Sequence, residues 1–197
     1  MKIILGSQSP RRRELMGGLD VPFRAITIDA DEHFPADLQG GDIPYYISRA
    51  KAEAYADLLG SDEILITADT IVWLPAADGK GMMLGKPADT VDAKRMLRLL
   101  SGRMHEVYTA VTFMRRNASG ECGTETITDK TEVWFRELGE DEIDYYVERY
   151  LPLDKAGAYG VQEYIGYIGV TKMVGSYYNV MGFPVERVYR RLKPLLD

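Results

Sequence analysis

Apolar residues recur along this 197-residue chain with two spacings, every second position and every third or fourth, and the changes between them mark out its elements. Ile3-Ile4-Leu5 predicts a short strand, Gly6 to Ser9 a turn, and Pro10 the first residue of a helix. Phe23–Ile28 predicts a second strand. Ile43–Leu59 carries Ile47, Ala50, Ala54 and Leu58 at helical spacing, and Ile64–Leu74 is a long apolar run with turn residues after it. Thr90–Leu100 places Val91, Ala93, Met96, Leu97 and Leu100 on one helical face and stops at Gly102. Glu106–Arg115 and Thr124–Phe135 read as extended segments joined by the polar loop Arg116–Gly123, which predicts a hairpin. Glu140–Tyr150 reads as a helix, Tyr164–Met173 as a strand rich in β-branched and aromatic residues, and Pro184–Leu196 as a final helix. Strands and helices alternate without repeat, linker or low-complexity segment, so one α/β domain is expected over residues 1–197.

Charge and cysteine content narrow the chemistry. A net charge of −6 argues against a broad nucleic-acid footprint. No apolar run approaches a membrane span and the N-terminal one is too short for a signal peptide, so a cytoplasmic protein with no membrane partner is expected. Cys122 is the only cysteine, which excludes internal disulfides and multi-cysteine metal sites. His33 and His105 are the only histidines and form no paired-imidazole motif, so any metal would rest on carboxylates, which suits Mg²⁺ or Mn²⁺.

Several polar residues stand where local stability does not ask for them. Arg11, Arg12 and Arg13 fall in the first turn of a helix, where the macrodipole disfavours cations by about 0.3–1 kcal/mol each when exposed and unpaired. They form either a solvated face or, with free backbone N–H groups, an anion site. Asp69 interrupts ILITADTIVWL, the most apolar stretch. Burying it alone would cost several kcal/mol, so it is hydrogen-bonded at a strand end, protonated, metal-bound or placed at a cleft. LGKP sets Gly85 and Lys86 before Pro87 and is no P-loop, because Pro87 stands where Ser or Thr is required. Lys51 in SRAKAEA reads equally as helix surface. LDKAGAYGVQE is rich in small residues, as a closely packed loop would be, and Gln162 near its end offers an amide that both donates and accepts and can read a nucleobase edge.

SQSPRRREL, Asp31-Glu32, RAKAEA, ADT, GKP, DKAGAYGVQ and GSYYNVMGFP occur in that order from Ile3 to about Val188, and together they resemble the successive motifs of the Maf family of nucleoside triphosphate pyrophosphatases. The resemblance implies an α/β fold of the Maf and inosine-triphosphatase type: an elongated mixed sheet flanked by helices, with an active-site cleft between two lobes. It implies a homodimer that hydrolyses a nucleoside triphosphate to monophosphate and pyrophosphate with a divalent cation. By the same matching, Ser7 lines the phosphate turn, Arg11 and Arg12 bind the triphosphate, Glu32 holds the cation, Lys51 and Lys86 bind phosphates, and Asp69 is the proton acceptor and touches the metal through water. Arg11 and Arg12 would then add little to the stability of the empty protein.

Arginine after SP, threonine after the aspartate of ADT and glutamine after GAYG-x match Arg11, Thr70 and Gln162, and resemble the dTTP/UTP branch rather than the 7-methyl-GTP branch. A house-cleaning role, with a link to cell-division arrest, follows from that likeness. A nucleotide-binding regulator of septum formation without enzymatic activity and a pyrophosphatase for damaged purine triphosphates are the alternatives. Three departures stand out: a longer loop over Pro75–Met83, an extended hairpin loop at Arg116–Gly123, and Glu163 where glycine commonly follows the glutamine. An acidic side chain beside a base pocket would narrow the range of substrates.

Overall fold

The computed structural model describes residues 1–76 and 80–196. Among them seven strands form one mixed sheet flanked by helices. These are β1 (Lys2–Gly6), β2 (Phe23–Ile26), β3 (Glu63–Pro75), β4 (Gly81–Leu84), β5 (Met104–Arg116), β6 (Cys122–Phe135) and β7 (Val170–Val174). The order is β2-β1-β3-β5-β6-β7, with β4 also paired to β3. β1 runs parallel to both β2 and β3, with Ile3 opposite Ile64 and Leu5 opposite Ile66, while β4 is antiparallel to β3 and β7 to β6. The helices are α1 (Pro10–Gly17), α2 (Asp42–Glu53), α3 (Thr90–Leu100), α4 (Glu140–Tyr150), α5 (Tyr164–Gly169), α6 (Tyr177–Val180) and α7 (Val185–Leu192). No helix of the described residues is long and apolar enough to cross a membrane.

The chain forms two compact units, and it passes from one to the other inside β3, β5 and β6 and again at Gly182. The first contains Met1–Asp69, Thr109–Asp129 and the stretch from Gly182 onward. Its sheet is covered on both faces, which explains why β1 is an unbroken apolar run. Ile3 and Leu5 of β1 and Ile64 and Ile66 of β3 point to one side, where Met16 of α1 and Val188 and Leu192 of α7 meet them. Ile4 and Leu65 point to the other, against Ala52 of α2. In the second unit, Ala93, Met96, Leu97 and Leu100 of α3 and Ile143, Tyr146 and Val147 of α4 close one core over Val72 and Leu74 of β3. His105 is fully buried there, edge-on to Phe135 and Tyr159. Its Nε2 shares a 2.8 Å hydrogen bond with the Tyr159 hydroxyl, while its Nδ1 has no hydrogen-bond partner among the described residues. Burial pushes its pKa down to about 3.

Pro10, the helix over Thr90–Leu100 and the strand–loop–strand over 104–135 lie where the pattern expects them. Other expectations are corrected. The second strand ends at Ile26, and α2 ends at Glu53 with one 3₁₀ turn at Ala56–Leu58, so the helix does not run to Leu59. The final helix is α7 followed by a 3₁₀ turn at Lys193–Leu195. Much of the expected Pro75–Met83 loop is strand, in β3 and β4, and Ala77, Asp78 and Gly79 lie outside the described residues.

The largest correction is at Tyr164–Met173, whose first half is helix α5 and whose second half opens β7. Its aromatic and β-branched content favours a strand, but tertiary packing decides. Ile165 is fully buried on one helical face, and Gly166 lies so close to the Val161 carbonyl that a Cβ there would collide with it.

Candidate active site

The turn Gly6–Ser9 leads from the end of β1 into α1, as a parallel strand with a helix behind it requires. Ser7 is buried, and its hydroxyl accepts from Ser9 N–H at 3.2 Å. Ser9 caps α1 by accepting from Arg12 N–H at 3.4 Å. No acidic residue occupies the first turn of α1, which leaves the helix dipole and the arginines adding positive potential at one place.

The three arginines divide. Arg13 Nε donates to Ser7 O at 3.2 Å and so braces the turn. Arg12 is half-buried and reaches across the unit: its Nε donates to Gly182 O and its Nη1 to Ala68 O, each at 2.8 Å. The expectation that Arg12 adds little to the empty protein is therefore corrected, because a first-turn arginine can offset the dipole penalty by binding backbone carbonyls far away in sequence. Burial lowers the Arg12 pKa, the charge of Asp69 raises it, Arg11 lowers it and Glu32 raises it, in decreasing order. Arg11, Arg12, Glu32 and Asp69 thus share one electrostatic neighbourhood.

Lys51 stands at its centre. Its Nζ lies 2.8 Å from Asp69 Oδ1 and 2.9 Å from Glu32 Oε1, joining the two carboxylates singled out in the sequence. Lys51 and Asp69 side chains are each 14% exposed, whereas Glu32, on the segment after β2, is 59% exposed. The lysine reaches this point because α2 is tied to the sheet one turn earlier. Thr67 Oγ1 of β3 donates to Ser48 O of α2 at 2.6 Å, and the Ser48 hydroxyl lies 2.9 Å from Thr112 Oγ1 of β5, which is 2.9 Å from Thr126 Oγ1 of β6. Ser48, Thr67 and Thr112 are fully buried. This hydroxyl chain was not among the sequence candidates. Its one signal is Thr67, a hydroxyl inside an apolar strand two residues before Asp69.

Thr70, Lys86 and Gln162 belong to the second unit. Thr70 is half-buried in β3, and Lys86 is exposed in the bend between β4 and α3. That bend is joined to the DKAGAYGVQ segment, since Gly157 N–H donates to Gly85 O at 3.0 Å. Gln162 is half-buried, and its Oε1 is enclosed with no hydrogen-bond partner among the described residues. Glu163, the departure from the family pattern, does not present a free carboxylate. It accepts from the Tyr146 hydroxyl and pairs with Lys155 Nζ at 3.2 Å.

The donor set bears on a metal. Among the described residues no group of three or more His, Cys, Asp or Glu side chains is arranged to hold one. Glu32 and Asp69 offer two hard carboxylate oxygens that meet on one ammonium group. Such a pair fits Mg²⁺ or Mn²⁺ only when substrate phosphates and water complete the coordination.

Comparison with known proteins bears on the fold and the family. The fold is similar to that of the Ham1 protein of Staphylococcus aureus, with a TM-score of 0.53 and 14% identity over 99% of this chain and all of that one. A HAM1 protein of Coxiella burnetii aligns with a TM-score of 0.52 and 14% identity over 98% of this chain and 99% of that one. In sequence, the chain is 52% identical over 195 residues to a dTTP/UTP pyrophosphatase of Bacteroides thetaiotaomicron, covering 98% of this chain and 96% of the relative. It is 48% identical over 193 residues to a dTTP/UTP pyrophosphatase of Parabacteroides distasonis, covering 98% and 95%. The family model described as Maf-like protein matches residues 2–195, and the chain belongs to that family.

Proposed function

We propose that this protein is a nucleoside triphosphate pyrophosphatase that hydrolyses dTTP and UTP to the monophosphate and pyrophosphate. The observation that carries the reading is Lys51 Nζ set between Asp69 and Glu32, in the electrostatic neighbourhood of Arg11 and Arg12. A triphosphate brings close to four negative charges, so its hydrolysis needs fixed cations at the phosphates and a base for the attacking water. Arg11 and Lys51 supply cations from α1 and α2, and the family resemblance gives Lys86 the same role. Asp69, oriented through Oδ1 by Lys51, takes the proton from the water. Glu32 and Asp69 would hold the divalent cation. When bound, that cation neutralises phosphate charge and stabilises the departing pyrophosphate.

Base choice rests on Gln162. Its amide both donates and accepts, which suits a pyrimidine edge that sets an N3–H donor between carbonyl acceptors. Identity of 52% with a dTTP/UTP pyrophosphatase supports the same preference. We further propose that the enzyme acts in the cytoplasm as a homodimer, which light scattering at micromolar concentration tests.

The deciding experiment incubates the protein with dTTP, UTP, GTP and ITP, with Mg²⁺ or Mn²⁺, and measures pyrophosphate and monophosphate. Preferential release from dTTP and UTP is expected. Tight nucleotide binding without pyrophosphate would instead indicate a regulator, and preference for ITP would indicate a purine house-cleaning enzyme.

A further inference from the structure

Thr67 and Asp69 stand two positions apart on β3 and so share one face of the strand, while Ser48 and Lys51 are neighbours one turn apart on α2. Helix and strand therefore meet in two rungs. In the inner rung Thr67 Oγ1 donates to Ser48 O at 2.6 Å, with both residues fully buried. In the outer rung Lys51 Nζ reaches Asp69 Oδ1 at 2.8 Å, nearer the surface. The inner rung is fixed from both sides. The Ser48 hydroxyl donates to Tyr45 O at 3.1 Å, and since it has one proton, Thr112 Oγ1 at 2.9 Å donates to it and receives in turn from Thr126 Oγ1. Across the sheet, Thr67 pairs with Gly6 of β1, and its methyl fills the space that glycine leaves, since a Cβ on Gly6 would stand 3.1 Å from Thr67 Cγ2. Hydroxyl and methyl both have partners, which fixes the Thr67 rotamer.

A lysine ammonium on a flexible stem has little geometry of its own, and Lys51 has two carboxylates within reach. Glu32 is the exposed one, on the segment after β2, and Asp69 the enclosed one, on β3. Which of them the ammonium orients depends on where α2 sets the Lys51 backbone, and the inner rung sets it. We propose that Thr67 is a positioning residue for the hydrolysis, holding α2 in register with β3 so that Lys51 orients the carboxylate of Asp69. Fully buried, Thr67 is itself out of reach of a nucleotide and acts only through Lys51. The inference rests on the reading of Asp69 as the base for the attacking water. Its physical content is alignment: a displacement of about 1 Å, caused by a change away from the chemistry, can cost ~10²-fold in rate.

The test measures kcat and KM for dTTP with Mg²⁺ in the wild type, Thr67→Val, Thr67→Ser, Lys51→Ala and the double variant of Thr67→Val with Lys51→Ala. Valine keeps the β-branched shape of threonine and removes the hydroxyl. Thr67→Val is expected to lower kcat about tenfold and to change KM by less than about threefold, because the loss falls on the orientation of the base while Arg11 still faces the phosphates. Thr67→Ser, which keeps the hydroxyl, should retain most of kcat. In the Lys51→Ala background, Thr67→Val should have no further effect on kcat, since the group it positions is gone. A wild-type kcat in Thr67→Val beside a lowered one in Lys51→Ala overturns the positioning role alone. A wild-type kcat in Lys51→Ala overturns the reading on which it rests. Equal losses in Thr67→Val and Thr67→Ser, or the full loss repeated in the Lys51→Ala background, would make Thr67 a structural residue and overturn the proposal. Should Thr67→Val fail to fold, Thr67→Ser and Thr67→Ala differ only in the hydroxyl, and equal kcat in those two is as decisive against it.

Discussion

Mild acid should destabilise the second unit through one side chain, His105. Burial between Phe135 and Tyr159 holds its pKa near 3 in the folded protein, against 6.5 for an ordinary imidazole. The unfolded chain therefore binds a proton at His105 that the folded chain refuses throughout the window from 6.5 down to 3. Stability from this group is fully present above the unfolded pKa and is lost as the pH falls through that window. Between pH 7 and pH 5 the loss comes to about 2 kcal/mol, from 1.36 kcal/mol per unit of pKa difference traversed. For a chain of this size it corresponds to a fall in Tm of about 4–8 °C. Both tryptophans, Trp73 and Trp134, lie in the same unit as His105, so their fluorescence reports its unfolding directly. Urea unfolding at pH 7, 6 and 5 should show the wild type losing stability more steeply than His105→Phe, which keeps an aromatic ring in the cluster and has nothing to protonate. Carboxylates contribute equally to both proteins, and the difference in slope isolates the histidine. Parallel slopes for the two proteins would refute the assignment.

Four substitutions probe the other unit and the base reader. Asp69→Asn should keep the fold and nucleotide binding but lose at least ~10²-fold in kcat, as removal of a general base does, and wild-type turnover in the folded variant would exclude Asp69 from the chemistry. Arg12→Ala should destabilise the nucleotide-free protein by about 2 kcal/mol in urea unfolding, since two charge-assisted bonds to Ala68 O and Gly182 O are lost. Arg11→Ala should act mainly on triphosphate affinity, and identical unfolding curves for the two variants would remove the distinction. Gln162→Glu should lower kcat/KM for dTTP and UTP by ~10-fold or more and for purine triphosphates by less, because the carboxylate retains an acceptor and loses the donor.

What the sequence disclosed depended on whether a residue's role was local. Thr90–Leu100 is legible because its apolar face and its stop near Gly102 lie within one short window. Asp69 is legible because a charge inside an apolar strand requires an explanation at once. Arg12 was legible as a cation near an anion site, but its bonds to Ala68 and Gly182 depend on partners 56 and 170 positions away. The helix at Tyr164–Gly169 was missed for the same reason. Gly166 reads as a helix weakener until the Val161 carbonyl packed against it is known. Tyr146 shows the limit most clearly: on the buried face of α4 it reads as core, and only the fold reveals that its hydroxyl ties Gly160 to Glu163.

The division of the chain into units also orders events during synthesis. The first unit is complete only when Phe183, Val188 and Leu192 meet Ile3, Leu5 and Met16. Those residues leave the ribosome more than a hundred positions after Asp69, a delay of roughly 6–23 s at ordinary elongation rates. Over that interval the nascent chain already contains Ser7, Arg11, Arg12, Glu32, Lys51 and Asp69, yet the apolar face of β1 and α1 has no lid. A chain cut short before Gly182 would carry every residue assigned to phosphates and base while exposing that face to chaperones and proteases. Loss of the last helix should therefore appear in the cell as loss of the protein.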